Sequence, residues 1–219
     1  MPSPPSGRFV VFEGGDGAGK TTQAQLLADA LQRAGRRVLL EREPGGPPSA
    51  ETLRGLLLAG PSAGRWEPLS EALLHCAART EHLHKTVLPA LSAGTWVVCD
   101  RFADSTEAYQ GGGLRLPADA LTVLRKIVVG SNEPDFVIVL DVDPATSLER
   151  ARHRPGAADR YERMDLAFHR RVREAFVRIA AHGGDRYVLL DASGGIDVVH
   201  ASVCAAISRR FGQNVSGQR

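Results

Sequence analysis

Cysteine is scarce in this chain of 219 residues, where only Cys76, Cys99 and Cys204 occur. They are odd in number, isolated and without C-x-x-C spacing, which argues against a disulfide framework and against a zinc site. Buried, reduced thiols in a cytoplasmic protein are therefore expected. Lysine is equally rare, and Lys20 stands out among many arginines.

The chain also lacks a large excess of charge of one sign and lacks long apolar runs. The 27 Lys and Arg residues oppose 25 Asp and Glu residues, so the net charge of +2 predicts no nucleic-acid partner. No apolar run approaches the length of a membrane span, and the first residues lack the features of a signal peptide. With 43% hydrophobic residues the chain is too apolar to be mainly disordered. We expect a cytoplasmic protein that does not bind membranes.

Five short apolar runs alternate with segments of helical periodicity. The runs lie at residues 8–13, 37–41, 95–100, 136–141 and 186–191, and each ends in a carboxylate. Nearly continuous apolar runs are typical of parallel strands that are buried on both faces. Terminal carboxylates suit the edge at which open α/β sheets bind ligands. The pattern predicts an α/β fold with a parallel sheet.

Helical spacing of apolar residues predicts helices at 21–34, 68–93, 116–129, 144–154 and 164–181, with an interruption near Pro89. Pro117 is expected in the first turn of its helix, and Asp143 is the expected N-cap of the next. We see no repeat and no linker between two cores. The sequence therefore predicts one domain over residues 8–211, with loose tails at 1–7 and 212–219.

The most specific local motif is G-x-x-x-x-G-K-[ST] at residues 14–21, between a predicted strand and a predicted helix. Its glycines permit successive backbone N–H groups to surround an anion at a helix N-terminus. Lys20 would reach the β- and γ-phosphates of a nucleotide, and the Thr21 hydroxyl would bind Mg²⁺. The predicted ATP-binding residues are Gly14, Gly15, Asp16, Gly17, Ala18, Gly19, Lys20, Thr21 and Thr22.

A P-loop alone is compatible with a GTPase, a motor or transporter ATPase, or a small-molecule kinase. The chain has no N-K-x-D guanine motif, and none of its apolar runs ends in paired acids. Its length leaves little room for the additional domains of a motor. Elimination favours a compact nucleoside or nucleotide kinase.

Further motifs occur in a fixed order: Arg-Glu-Pro-Gly-Gly at 42–46, Asp-Arg-Phe at 100–102, Ser-Thr at 105–106 and Ala-Tyr-Gln-Gly-Gly-Gly at 108–113. In these motifs and their spacing, residues 8–191 resemble bacterial thymidylate kinase. The resemblance implies a three-layer P-loop kinase fold with a five-stranded parallel sheet flanked by helices. It also implies phosphorylation of dTMP to dTDP by ATP with Mg²⁺, and a homodimer formed through helices beside the sheet.

The same resemblance implies a site for dTMP. It places Glu43, Pro44 and Arg54 near the nucleoside or its phosphate, arginines on the phosphate, and polar side chains on the thymine edge. The Gln110 amide, with a donor and an acceptor, suits a pyrimidine. The predicted dTMP-binding residues are Asp16, Glu43, Pro44, Arg54, His75, Arg79, Arg101, Ser105, Thr106, Tyr109, Gln110 and Tyr161.

The P-loop contains no arginine, so the chain resembles those family members that carry a catalytic arginine in a lid. Residues 150–162 have the composition of such a lid, with arginines around glycine, alanine and proline. The predicted catalytic residues are Lys20, Arg101, Arg152 and Arg160. The predicted metal-binding residues are Thr21, Asp16 and Glu162.

One residue departs from the family pattern. His75 stands where the family usually has an aromatic residue, mostly Phe, that stacks on thymine. An imidazole is smaller and can ionise, so dTMP binding is expected to vary with pH between about 5.5 and 7.5. Neighbouring arginines are expected to depress its pKa and keep the ring neutral at pH 7.

Two alternatives remain open at this point. The chain could phosphorylate another pyrimidine nucleotide or a deoxynucleoside, or it could be an ATP-binding regulatory module that catalyses no phosphoryl transfer. The second alternative predicts nucleotide binding without release of ADP that depends on dTMP.

Overall fold

The computed structural model describes residues 7–61, 65–152 and 160–212, without the side chains of residues 151 and 152. Five strands form one parallel sheet: β1 (Phe9–Gly14), β2 (Val38–Arg42), β3 (Trp96–Asp100), β4 (Phe136–Asp141) and β5 (Tyr187–Asp191). Their order is β2-β3-β1-β4-β5. The predicted α/β fold and its five strands are confirmed.

Every residue of β1 is buried, and alternate side chains enter two separate cores. Val10 and Phe12 pack in one core, which includes residues of the helices that follow β1 and β5. Phe9 and Val11 pack in the core on the other face. The continuous apolarity of the strand sequences follows from this two-sided burial.

Nine α-helices lie within the described residues: α1 (Lys20–Arg33), α2 (Pro48–Ala59), α3 (Pro68–His82), α4 (Leu88–Ser92), α5 (Ala103–Thr106), α6 (Ala118–Val128), α7 (Pro144–Arg152), α8 (Leu166–His182) and α9 (Ile196–Phe211). Two π-helical segments, Leu83–Val87 and Glu107–Gly113, extend α3 and α5. A 3₁₀ turn, Gly184–Arg186, precedes β5. None of these helices is both long and apolar enough to cross a bilayer.

Several helix boundaries differ from the prediction. The interruption expected near Pro89 occurs earlier, as the π segment between α3 and α4, because a proline in the first turn of α4 has no N–H for the preceding helix. Pro117 precedes α6 rather than lying in it. The helix expected from residue 164 begins at Leu166, since the Asp165 carboxylate caps it by accepting from the Phe168 N–H at 2.7 Å.

Asp143 takes its expected place before α7, where its side chain accepts from the Ala145 N–H at 2.9 Å. Helices α2, α5 and α9 were not predicted. Most of the two predicted tails, and residues 153–159 of the predicted lid, lie outside the described residues.

Candidate active site

A cleft of about 220 Å³ lies at the carboxyl ends of β1, β2 and β3, the sheet edge at which open α/β folds bind ligands. All twelve residues predicted to bind dTMP line this cleft, although they range from Asp16 to Tyr161 in the sequence. The lining also includes Gly17, Lys20, Thr21 and Glu162 from the predicted ATP and metal sites. Four further lining residues were not predicted: Arg42, Leu58, Asp100 and Phe102.

The P-loop owes its shape to glycines. Gly14 and Gly17 have positive φ angles of 135° and 76°. A β-carbon on Gly14 would collide with the carbonyl oxygen of Leu140, and one on Gly17 with that of Ser147. The loop therefore lies closer to β4 and α7 than any other residue type would allow. The N-terminus of α1 follows directly, so its unpaired N–H groups face the same space.

Lys20 is the buried cation of the P-loop, and its side-chain ammonium donates to the carbonyl oxygen of Gly15 at 2.6 Å. Burial and the charge of Arg101 lower its pKa to about 8, because both disfavour the ammonium form. The side chain still carries its charge at pH 7. It can therefore supply a positive charge to a phosphate on the loop.

Thr21, the next residue, provides an oxygen atom that could bind a cation. Its hydroxyl donates to Oδ2 of Asp100, at the end of β3, and the buried Oδ1 of Asp100 has no hydrogen-bond partner in the described part of the chain. A hydroxyl and an unsatisfied carboxylate oxygen suit Mg²⁺, which takes few protein ligands besides water and phosphate. Within the described residues no cluster of three His, Cys, Asp or Glu residues forms a closed metal site.

Asp16 and Glu162 were the other predicted metal ligands, and both line the cleft. The Asp16 carboxylate is already engaged, because it pairs with Arg101 at 2.6 Å and accepts from the Tyr109 hydroxyl at 2.7 Å. The charges of Arg101 and Lys20 outweigh the effect of burial and lower the pKa of Asp16. Its geometry favours a role in orienting Arg101.

Arg101 joins the P-loop to the cleft. Its φ of 75° is rare for a residue other than glycine and turns the side chain back over β1. The guanidinium donates to Asp16, to the Ser105 hydroxyl at 3.0 Å, to the Tyr109 hydroxyl at 3.0 Å and to the carbonyl oxygen of Gly14 at 3.2 Å. These contacts fix a planar cation between the two predicted nucleotide sites.

Arg79 forms the opposite wall and is also fixed. Its guanidinium donates to Oε2 of Glu43 at 2.7 Å, to the Thr106 hydroxyl at 3.1 Å and to the carbonyl oxygen of Phe102 at 2.8 Å. Behind it, the fully buried His82 lies 2.9 Å from Oε1 of Glu43. Although burial alone would lower the pKa of His82, its contacts with Glu41 and Glu43 raise it to about 9.

A third wall surrounds Glu71, a buried carboxylate on α3. Its Oε1 accepts from Gln110 Nε2 at 2.7 Å and from the Tyr161 hydroxyl at 2.6 Å. Its Oε2 forms an ion pair with Arg160, whose guanidinium also stacks on the Tyr161 ring. Gln110 and Tyr161, both predicted to bind dTMP, are thus held by one acidic residue.

His75 lies on the same wall, with Nε2 at 3.1 Å from the Tyr161 hydroxyl. Burial, followed by the charges of Arg79, Arg160 and Arg101, lowers its pKa to about 3. The expected direction and neutral ring are confirmed, with burial as the larger cause. A pKa of about 3 places the titration of His75 below the range from 5.5 to 7.5, so this ring is not a source of pH dependence in dTMP binding there.

The predicted lid is only partly described. Arg160 donates to the carbonyl oxygen of Leu57 at 2.8 Å and pairs with Glu71, which holds it against α2 and α3. Arg150 donates to the carbonyl oxygens of Ala192 and Ser193, at 2.8 and 2.6 Å. The side chain of Arg152 lies outside the described part of the chain.

Sequence reasoning did not single out Glu13, Glu71, His82 or Asp100 as functional side chains. A signal was present for two of them, because Glu71, His75, Arg79 and His82 recur every three or four residues along one face of α3. Glu13 and Asp100 are two of the carboxylates at strand ends. Glu13 is fully buried and accepts from the backbone N–H groups of Phe102 and Ser105, so it holds the start of α5.

The sequence and the fold of this chain are similar to those of known proteins. Residues 12–203 match the family described as thymidylate kinase. The thymidylate kinase of Caulobacter vibrioides is 46% identical over 206 residues, covering 94% of this chain and 98% of the relative. That of Bradyrhizobium sp. ORS 278 is 46% identical over 210 residues, covering 95% and 92%. A crystal structure of thymidylate kinase from Ehrlichia chaffeensis is 34% identical with a TM-score of 0.76, covering 93% of this chain and 100% of that one.

Proposed function

Because this chain belongs to the thymidylate kinase family and phosphorylates dTMP with ATP, we propose that ATP binds on the P-loop and dTMP in the adjoining cleft. The observation that carries this assignment is the position of Arg101. Its guanidinium contacts the P-loop through Asp16 and Gly14 and also contacts Ser105 and Tyr109 in the cleft. A phosphoryl group in transfer between the two sites would lie beside this cation.

The reaction needs no general base, because the acceptor is a phosphate that is already anionic at neutral pH. The difficulty is to bring two polyanions together and to stabilise the charge that develops between them. Lys20 and Arg101 supply fixed cations, and their hydrogen bonds to Gly15 and Asp16 hold them in place before substrate arrives. Catalysis then depends mainly on positioning and electrostatics.

We propose that Mg²⁺ binds at Thr21 and Asp100, with Glu162 nearby on the cleft wall. There the ion would neutralise part of the charge on the phosphates. The hydrogen bond between Thr21 and Asp100 holds both oxygens beside the P-loop.

The nucleoside of dTMP is proposed to lie against the third wall, with its base on the His75 ring. All of Thr106, Gln110 and Tyr161 line the cleft, and in this proposal Thr106 and Gln110 would meet the base edge and Tyr161 the sugar. Arg152 and Arg160 stay proposed as catalytic lid residues. For Arg160 this requires the guanidinium to leave Glu71 and Leu57.

The proposal is tested by ADP release in the presence of ATP and Mg²⁺, with dTMP, dUMP, dCMP or thymidine as acceptor. We expect turnover to depend on dTMP and to be much slower with thymidine, which lacks the phosphate that the arginines bind. A preference for another acceptor would contradict the assignment of the cleft. ATP binding without ADP release would indicate a regulatory module instead.

Replacing His75 by alanine is expected to weaken dTMP binding about tenfold or more, because stacking of a base on an aromatic ring contributes roughly 1–3 kcal/mol. His75→Phe should tighten binding, since phenylalanine offers a larger apolar face. Neither change should alter the affinity for ATP. Calorimetric titration of both nucleotides measures these effects, and unchanged dTMP affinity in the alanine variant would contradict the placement of the base.

We propose that the protein forms a homodimer through α2, α3 and α6. Helix α3 contacts both α2 and α6, and their outer faces expose large apolar side chains: Leu56, Leu69, Leu73, Val123 and Ile127. An apolar surface shared by three helices is typical of a protein–protein interface. A second copy of the chain would bury it by two-fold symmetry.

Ile127→Glu is expected to convert the dimer to a monomer, because it places a charge at the most exposed apolar side chain of this face, at 74% exposure. Val198→Glu is a matched control on α9, outside this face, at 66% exposure. Sedimentation equilibrium should show a monomer for the first variant and a dimer for the second. Equal masses for the two variants would exclude this interface.

We also propose that the protein works in the reducing cytoplasm. Cys76, Cys99 and Cys204 are all free and buried. Burial raises the pKa of each thiol, which disfavours the reactive thiolate.

A further inference from the structure

Glu71 contacts both Gln110, which is proposed to read the base, and two residues of the predicted lid, Arg160 and Tyr161. It is fully buried and lies one helical turn before His75 and two before Arg79 on α3. The charge of Arg160 offsets its own through Oε2, while Oε1 faces Gln110 and Tyr161. The Glu71 carboxylate occupies some of the donors of Gln110 and Tyr161, and so determines which of their polar groups can still bind a ligand.

The chemistry of the carboxylate fixes the orientation of the Gln110 amide. A carboxylate only accepts hydrogen bonds, so the amide nitrogen and not the oxygen must face Glu71. The second N–H of Gln110 points to the Tyr161 oxygen at 3.1 Å. That oxygen acts as an acceptor here, because the Tyr161 proton is donated to Glu71, and it also accepts from Arg160 at 2.8 Å. Both amide protons are therefore used inside the protein, and the carbonyl oxygen is the group left for the cleft.

We propose that Glu71 is the positioning residue that makes this cleft select thymine over cytosine. The inference rests on the proposed function, in which Gln110 meets the base edge. Thymine carries a hydrogen on N3 and can donate to the Gln110 oxygen, whereas neutral cytosine has a lone pair there and would oppose acceptor to acceptor. Uracil carries the same N3 hydrogen, so this device does not separate dTMP from dUMP.

The test is Glu71→Gln, which keeps the volume of the side chain. An amide at position 71 can donate as well as accept, so Gln110 becomes free to turn its nitrogen toward the base. We expect the ratio of kcat/KM for dTMP to that for dCMP to fall about tenfold or more. The ratio of dTMP to dUMP should stay within about twofold. Simple damage to the fold would lower all three activities together and leave both ratios unchanged.

Two further variants separate this inference from the function on which it rests. Gln110→Leu removes the oxygen itself and should also lower the dTMP/dCMP ratio. If the dTMP/dCMP ratio falls in Gln110→Leu but not in Glu71→Gln, the role of Glu71 alone is overturned. If the ratio changes in neither variant, base reading by Gln110 is overturned. Glu133→Gln is the matched control, because Glu133 also pairs with an arginine, Arg125 at 2.6 Å, but does not line the cleft.

Hydrogen exchange in the unaltered protein gives a result even if Glu71→Gln does not fold. Both side-chain amide protons of Gln110 should exchange more slowly than those of Gln25, whose amide donates to Asp29 at an exposed site. Equal exchange rates for the two glutamines would show that Gln110 is not held by Glu71 and Tyr161, and would overturn the proposal.

Discussion

Lys20→Ala is expected to lower kcat by about 10²–10³-fold while leaving the protein folded. Removal of one preorganised electrostatic group from an active site has an effect of this size. Lys20 is buried in the P-loop, and its hydrogen bond to Gly15 holds the charge where the phosphates of ATP would lie. Water cannot replace it with a charge at the same point. The loss should therefore appear in turnover more than in dTMP binding.

Steady-state kinetics and a melting curve check this expectation. Lys85→Ala is the matched control, because Lys85 is exposed and pairs with Glu81 on the surface. The control should retain its turnover. If Lys20→Ala kept more than about a tenth of the turnover of the unaltered enzyme, the P-loop lysine would not be acting on the transferred phosphate.

The ionisation of Lys20 should also appear in the pH dependence of kcat/KM for ATP. A lysine is charged below its pKa, and the pKa of Lys20 is lowered to about 8 by burial and by Arg101. Since kcat/KM for ATP reports ionisations of the free enzyme, it should fall as the pH rises through about 8. An ordinary lysine would keep its charge to near pH 10.

The strands were predictable because each has to be apolar on both faces. The apolar residues of Phe136–Asp141 are all buried, so the apolar content of this segment was enough to indicate a buried strand. The P-loop was predictable because its glycines are required by close contacts with β4 and α7. Helix α9 was harder to predict because it exposes Ile196 and Val198 as well as burying Val199 and Val203, which blurs the periodic pattern.

The interior of the site was less predictable, because a sequence does not show which polar residues are buried together. The fully buried Glu71 and His82 have partners on other elements, which are Gln110 and Arg160 for Glu71 and Glu43 for His82. The π-helical turn at Glu107–Gly113 has no clear local signal, although it positions Tyr109 and Gln110 in the cleft. Such residues depend on long-range contacts, and only the fold brings these contacts together.

Arg101→Ala is expected to lower kcat/KM for dTMP by about 10²–10³-fold, as for removal of one preorganised electrostatic group. Arg101→Lys should restore only part of the loss, since an ammonium keeps the charge but cannot reproduce a planar fork that reaches Asp16, Ser105 and Tyr109 together. The alanine variant also leaves Asp16 without its partner. It should lose about 3 kcal/mol of folding stability, the lower end for a buried pair, because the two side chains are 18% and 11% exposed.

The double variant Asp16→Asn/Arg101→Ala separates these two effects. A neutral amide at position 16 removes the unpaired buried charge, so the melting temperature should recover toward that of the unaltered protein. Activity should stay low, because no cation then stands between the two nucleotide sites. Recovery of kcat/KM together with the melting temperature would mean that Arg101 only holds the P-loop against β3, and the transferring phosphoryl group would have to be stabilised by Lys20 and the lid arginines instead.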